Sequence, residues 1–399
     1  METVLDEDSE KMKSGRKREQ LHICFFAGGM YQGGGTERMT QLLANALSER
    51  SGWRVSVLSK SDQGQAPFYP LGGKVSYAAL DNEPFRGVRS WIKDLWLLWR
   101  YLRREQVDVL VNVDVALGLF TLPLKWVRHR TKQVFWEHFS VRYDTGNPRM
   151  EKLRRAALRC GDAYVTLTGQ DAAELSARKP RCRVVDIPNI CTYPLSEDGY
   201  DLSSKIILSA GNLIPVKGFD LALEAASIVF ARHPDWSWHI YGDGSEQERL
   251  KAQAEELGIA EHVRFMGRTK RLSEAYRSAA MYVLPSRSEG FGLVLAEAKA
   301  FRLPTVAFDI PYGPRNIIRD GVNGTLVPPY SVEGMADAIL ALIEEETLRI
   351  RYSAQSQLGM ERFTEEAVAE QWERLLKGLY AKQNGTVGRT AQAGAENRM

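Results

Sequence analysis

The chain of 399 residues is long enough for two ordinary domains with complete cores. Apolar residues make up 44% and charged residues 26%, as in globular proteins, and a formal net charge of +3 gives no bulk case for nucleic-acid binding. The four cysteines, Cys24, Cys160, Cys182 and Cys191, form no CxxC and have no histidine at a zinc-ligand spacing. They read as buried, reduced thiols of a cytoplasmic protein.

Residues 1–20 run acidic and then basic, so no secretory signal is visible among them and a tail without packed structure is expected. The apolar run 21–27 predicts a first strand. A glycine-rich loop and an amphipathic helix from about 36 to 50 follow it. Further strands are expected at 54–58, 107–111, 133–136, 163–167 and 184–187, each a short apolar run suited to a parallel sheet covered on both faces. Asn112, Asp114 and Pro123 interrupt the apolar stretch 109–126, so it reads as a buried strand and a helix rather than a membrane span.

Within this first half, Trp91, Ile92, Leu95, Trp96, Leu97, Leu98, Trp99, Tyr101 and Leu102 alternate with Arg89, Lys93, Arg100, Arg103 and Arg104. This predicts a basic amphipathic helix. A second basic run, 125–132, lies close by. Two readings stand: a tryptophan stripe packed into the first domain, or weak peripheral contact with an anionic membrane. Residues 21–195 hold 25 basic and 16 acidic side chains, a net of +9, against a net of −3 from residue 200 onward, which favours the membrane reading.

The first domain is expected to cover 21–190, with a linker at 191–204. The strand–helix pattern restarts at 206–210, 237–241, 263–266, 281–284 and 305–308, so a second domain covers 205–363. Helical patterns close the chain at about 331–345 and 364–380. The last is of the kind that crosses back onto the first domain. Residues 381–399 read as a disordered tail. The architecture is α/β, with two doubly wound, Rossmann-like domains and a ligand cleft beyond the carboxyl ends of the strands. A dinucleotide dehydrogenase is disfavoured, because Leu58-Ser59-Lys60 stands where an acidic residue would end the second strand.

The richest segment, Pro285 to Glu297, follows the strand at 281–284 and opens a helix. Gly290 and Gly292 allow close backbone approach, and a helix N-terminus offers N–H donors to a diphosphate. Glu289 precedes that helix and Glu297 lies in its second turn. A glycosidase pair or two structural carboxylates remain open from spacing alone.

This segment resembles the Glu-x7-Glu signature of the family 4 glycosyltransferases, which have the GT-B fold. Gly33-Gly34-Gly35-Thr36-Glu37-Arg38 resembles that family's first glycine loop. Gly211 to Asp220 resembles its Gly-Arg-Leu-x3-Lys-Gly-Phe-Asp stretch, and Tyr241-Gly242-Asp243-Gly244 its Gly-x-Gly turn. The four segments stand in register over about residues 21–380.

The resemblance implies that Glu289 binds donor-sugar hydroxyls and that Gly290, Phe291, Gly292 and Leu293 line the sugar or diphosphate. It implies that Glu297 holds the ribose and Lys217 the diphosphate. It places Gly34, Gly35 and Gly242 at the donor, and His138 beside the donor sugar. Asn189 is either a cleft contact or a turn residue. Asn212 stands where the family commonly has an arginine, and Arg268 or Arg315 is the candidate replacement.

The implied activity is retaining transfer of a hexose or N-acetylhexosamine from a UDP- or GDP-sugar to a surface polysaccharide or lipid-linked saccharide. It would proceed without cofactor or metal, in the cytoplasm or on the inner face of its membrane. A nucleotide-sugar epimerase and a non-catalytic nucleotide-sugar binder are the alternatives.

Overall fold

In the computed structural model, residues 20–82, 87–127, 130–142, 147–198 and 200–381 are described. The expected tails lie outside these residues, apart from Gln20 and Ala381, as do Arg128 and His129 of the second basic run. The chain forms two compact units. One comprises Met1–Glu137 with Thr145–Tyr164, and the other His138–Asp144 with Val165–Met399.

One sheet has seven strands: β1 (Leu21–Ala27), β2 (Trp53–Ser59), β3 (Val75–Ala79), β4 (Val109–Asn112), β5 (Lys132–Trp136), β6 (Ala163–Thr166) and β7 (Arg183–Asp186), in the order β3-β2-β1-β4-β5-β6-β7. β1 is parallel to both β2 and β4, so the chain winds outward from β1 in both directions. Six of its seven residues are buried, which explains its unbroken apolar sequence.

The other sheet has six strands: β8 (Ile206–Ala210), β9 (Ser237–Tyr241), β10 (Val263–Gly267), β11 (Met281–Leu284), β12 (Thr305–Phe308) and β13 (Thr325–Val327), in the order β10-β9-β8-β11-β12-β13. Helices alternate with the strands of both sheets. They are α1 (Gly35–Ser48), α2 (Gly87–Arg104), α3 (Gly118–Thr121), α4 (Pro148–Cys160), α5 (Gly169–Ala177), α6 (Phe219–Arg232), α7 (Gln247–Glu256), α8 (Leu272–Ser278), α9 (Leu293–Ala300), α10 (Val332–Glu344), α11 (Glu346–Gln355) and α12 (Glu365–Ala381). The α/β architecture is therefore as the sequence predicts.

Several local expectations are corrected. The strand expected at 107–111 begins at Val109, because the Val107 N–H still bonds to the Leu102 carbonyl of the preceding helix end. The helix expected within 109–126 breaks into a 3-10 turn, the four-residue α3 and a second 3-10 stretch containing Pro123, which cannot donate within a long helix. Strands β3 and β13 were not anticipated. β3 reads Val-Ser-Tyr-Ala-Ala at the sheet edge, and β13 is only three residues long. Cys160 is exposed, whereas Cys24, Cys182 and Cys191 are buried as expected.

Helix α2 is amphipathic in a way neither reading alone describes. Leu98 and Leu102 are buried in a cluster with Cys24, Phe26, Leu58 and Leu110, and Leu95, Trp99 and Tyr101 pack at its margin. Full burial of such a leucine is worth about 1.5–3 kcal/mol. The stripe Val88, Ile92, Trp96 remains 71%, 57% and 52% exposed.

Candidate active site

In the six-stranded sheet the winding reverses between β8 and β11, whose residues Tyr282 and Leu208 pair. A doubly wound sheet opens a crevice at such a switch point, beyond the carboxyl ends of the two strands. The loops that leave those ends carry Gly211 to Lys217 and Pro285 to Gly292.

The first loop turns under β9. The Gly211 N–H bonds to the Tyr241 carbonyl at 2.9 Å and the Leu213 N–H to the Asp243 carbonyl at 2.7 Å. It then makes one 3-10 turn, Pro215–Lys217, and enters α6 through Gly218. The second loop leaves β11 and enters α9 at Gly292, where no side chain caps the helix. The first N–H groups of such a helix point outward as donors.

The two loops meet. Lys217 Nζ lies 2.7 Å from Glu289 Oε1, with the carboxylate side chain 8% exposed and the lysine 23%. Ser286 Oγ donates to the same oxygen at 2.6 Å. An ionised carboxylate has more lone pairs than these two bonds occupy, so Glu289 keeps acceptor capacity.

Behind it, Gly313 presses close. A Cβ added there would stand 2.8 Å from Glu289 Cβ. A Cβ at Gly290 would stand 2.2 Å from the His138 carbonyl oxygen, so glycine is what lets these two backbone segments touch.

The His138 turn is tied down on its other side. The Val141 N–H donates to Asp171 Oδ1 at 2.9 Å, and Asp171 is locked to the cap of α5 by Thr168 Oγ1 at 2.7 Å. Burial pushes the His138 ring down to about 3, which keeps it neutral at physiological pH. On α9, Glu297 is buried and accepts from the Tyr276 hydroxyl at 2.9 Å. Within one unit, a cation and a carboxylate thus meet beside a helix start, with the His138 backbone against Gly290 and a second buried carboxylate, Glu297, on the helix itself.

Residues 33–191 match Glycosyltransferase Family 4, and residues 197–358 match Glycosyl transferases group 1. An uncharacterized glycosyltransferase of Haemophilus influenzae is 33% identical over 355 residues, covering 89% of this chain and 99% of that one. The chain belongs to the family 4 glycosyltransferases.

The amylovoran biosynthesis glycosyltransferase AmsD of Erwinia amylovora is 26% identical to it over 362 residues, 89% of this chain and 99% of that one. Among solved structures, sucrose-phosphate synthase from Thermosynechococcus elongatus superposes with a TM-score of 0.78 at 19% identity, covering 91% of this chain and 100% of that one. Anabaena HepE in complex with UDP gives 0.72 at 18%, covering 90% and 100%. At such identities the likeness is one of fold, and that fold is GT-B.

In this glycosyltransferase the residues singled out from sequence divide by place. Lys217, Glu289, Gly290 and, through its carbonyl, His138 come together. Phe291 is buried and meets Phe363 edge-on, so its side chain supports the loop, while Leu293 begins α9. Gly242 backs the first loop, and a Cβ there would stand 1.9 Å from the Gly211 carbonyl oxygen.

Asn212 is exposed, and its carbonyl accepts from Ile214 N–H. Of its candidate replacements, Arg268 pairs with Asp243 at 3.3 Å and Arg315 with Asp309. Asn189 is buried. Gly34 and Gly35 lie in the other unit, where Gly34 caps α1 and the Glu37 carboxylate folds back against it.

Sequence reading missed Ser286, Tyr276 and Gly313 as parts of the site. Ser286 lies within the segment 285–297, but nothing in its spacing marks a bond to Glu289. Among the described residues no group of three or more His, Cys, Asp and Glu is placed to hold a metal.

Proposed function

We propose that this glycosyltransferase moves a hexose or N-acetylhexosamine from a UDP- or GDP-sugar to a hydroxyl of a surface polysaccharide or lipid-linked saccharide, with retention at the anomeric carbon. The observation that carries the reading is the Lys217–Glu289 contact beside the uncapped start of α9. It offers one cation and a set of N–H donors for a diphosphate, and one carboxylate with spare acceptors for sugar hydroxyls.

On this reading Glu289 binds hydroxyls of the donor sugar and Glu297 holds the ribose. Lys217 and the helix start stabilise the charge that develops on the leaving diphosphate, without a metal. Arg268 is available to the nucleotide side if donor binding draws it from Asp243. The His138 ring, neutral and without a charge to repel, approaches the sugar as a hydrogen-bonding group. The acceptor hydroxyl attacks from the face that the leaving group vacates and passes its proton to the departing diphosphate oxygen.

Named relatives support the substrate classes. They include a poly(ribitol-phosphate) alpha-N-acetylglucosaminyltransferase of Staphylococcus aureus and a phosphatidyl-myo-inositol mannosyltransferase of Mycolicibacterium smegmatis. The α2 stripe supports weak peripheral contact with an anionic membrane. Arg100 and Arg103 lie over the rings of Trp96 and Trp99, so charge and aromatic surface stand together. No helix among the described residues is long and apolar enough to cross a bilayer.

The test is a thermal-shift and calorimetric screen of UDP, GDP and their sugars, followed by transfer to lipid-linked and polysaccharide acceptors with the product anomer read by NMR. Saturating nucleotide sugar should stabilise the fold by about 2.7 kcal/mol at a hundredfold excess over Kd. A product of inverted configuration overturns retention, and absence of binding to any nucleotide sugar overturns the reading as a whole.

A further inference from the structure

The 3-10 turn that presents Lys217 is three residues long and is followed by Gly218 in the left-handed region, at φ +66°. So short a turn has little stability of its own. Its position comes from outside, and the contacts show from where.

Arg287, two residues before Glu289, sends Nη1 to Asp220 Oδ1 and Nη2 to Asp220 Oδ2, both at 2.7 Å. Asp220 lies in the first turn of α6, three residues after Lys217. Arg287 Nη1 also donates to the Pro215 carbonyl at 2.8 Å, and the Arg287 N–H to the Val216 carbonyl at 2.8 Å. The approach is tight, since a Cβ on Gly218 would stand 2.0 Å from the Pro285 carbonyl oxygen.

We propose that Arg287 and Asp220 are positioning residues of the donor site, a clamp that sets the distance between the Lys217 turn and the Glu289 loop. The inference rests on the donor reading above. A two-pronged guanidinium–carboxylate bond fixes orientation as well as separation, because the fork is planar and rigid. A single hydrogen bond leaves both loops free to rotate about it.

Burial opposes ionisation of Asp220, yet the hydrogen bonds and charge of Arg287 hold its carboxyl below the usual carboxylate range, so the clamp stays charged across neutral pH. Glu289 and Lys217 belong to separate loops, and a ligand that must engage both is sensitive to their spacing. A ligand that engages neither is not. A nucleotide sugar carries the diphosphate and the sugar hydroxyls together, whereas the matching nucleoside monophosphate carries neither feature.

The experiment measures calorimetric Kd values for the preferred nucleotide sugar and its nucleoside monophosphate on the full chain and on Arg287→Gln and Arg287→Lys. Arg287→Gln is expected to weaken nucleotide-sugar binding at least tenfold and leave monophosphate binding within twofold. Arg287→Lys, which keeps charge but loses the fork, should fall between.

Equal losses for both ligands mean a general structural defect and overturn the clamp, as does nucleotide-sugar binding within twofold of the parent chain. If Arg287→Gln does not fold, Asp220→Asn, which retains one acceptor oxygen for Arg287, is judged by the same criteria. A parent chain that binds no nucleotide sugar overturns the donor reading and the clamp with it. A parent chain that binds while the variant binds equally overturns the clamp alone.

Discussion

Lys217 and Glu289 stand 72 positions apart in the chain and 2.7 Å apart in space. Each is the other's charge partner where two loops leave neighbouring strands. Removing either leaves a charge in a mostly enclosed place without its counterpart. Glu289→Ala is expected to abolish transfer while the protein stays folded, and Lys217→Met to lower kcat/KM at least a hundredfold, about 2.7 kcal/mol. Steady-state kinetics alongside circular dichroism checks both, and near-normal turnover in either variant would remove that residue from the site.

The Tyr276 hydroxyl donates a hydrogen bond to Glu297 Oε2 at 2.9 Å, and its ring stacks on Phe301. Tyr276→Phe keeps the stack and removes the bond that aims the carboxylate. If Glu297 holds the ribose, as proposed, donor KM should rise about three- to tenfold with kcat nearly unchanged, because the lost contact lies away from the reacting carbon. An equal fall in kcat would move Glu297 into the chemistry.

Gly218 combines a left-handed backbone with the 2.0 Å approach to Pro285, so Gly218→Ala is expected to cost at least about 1–3 kcal/mol. Gly35 at the start of α1 has open space about its would-be Cβ, so Gly35→Ala should change stability by less than about 0.5 kcal/mol. Urea denaturation of the two variants compares them directly, and equal effects would contradict the packing at Gly218.

The His138 ring stands near 6.5 in the unfolded chain and at about 3 in the folded one. Between those values the unfolded chain holds the additional proton. Stability present above pH 6.5 is therefore lost as pH falls toward 3, by up to about 1.4 kcal/mol per pH unit. Unfolding free energies of the parent chain and of His138→Gln, measured from pH 4 to 8, should diverge below pH 6.5, with the variant flatter. Parallel curves would show that the ring titrates alike in both states.

On α2, Ile92 and Trp96 are more than half exposed, so Ile92→Glu and Trp96→Glu should leave the fold intact. Sedimentation with vesicles containing anionic lipid should fall at least fivefold for the double variant. Binding by the parent chain should weaken as salt rises. Binding that is unaffected by the substitutions would remove the stripe as a membrane contact.

Much of the architecture was legible because parallel strands covered on both faces read as unbroken apolar runs. Strands β8, β9, β11 and β12 coincide with the runs that predicted them. β3 was not legible, since Ser76 and the half-exposed residues after it dilute the apolar signal at a sheet edge. The α2 tryptophans were legible as a helix but not as a surface. Which face meets the sheet depends on where Leu98 and Leu102 find partners from distant strands.

Local sequence alone settled that the chain alternates strands and helices and that glycines stand where strands turn into helices. The roles of Glu289, Glu297 and Lys217 came from the resemblance to the family 4 glycosyltransferases, since spacing alone left the two carboxylates open to other readings. Periodicity and turn chemistry act over a few residues and are written in the order of the chain. Only the tertiary structure decided that Lys217 faces Glu289, that Ser286 shares its oxygen, and that Arg287 reaches back to Asp220. The Lys217–Glu289 and Arg287–Asp220 contacts join segments about seventy positions apart, and their geometry comes from the reversal of winding between β8 and β11, which no local pattern encodes.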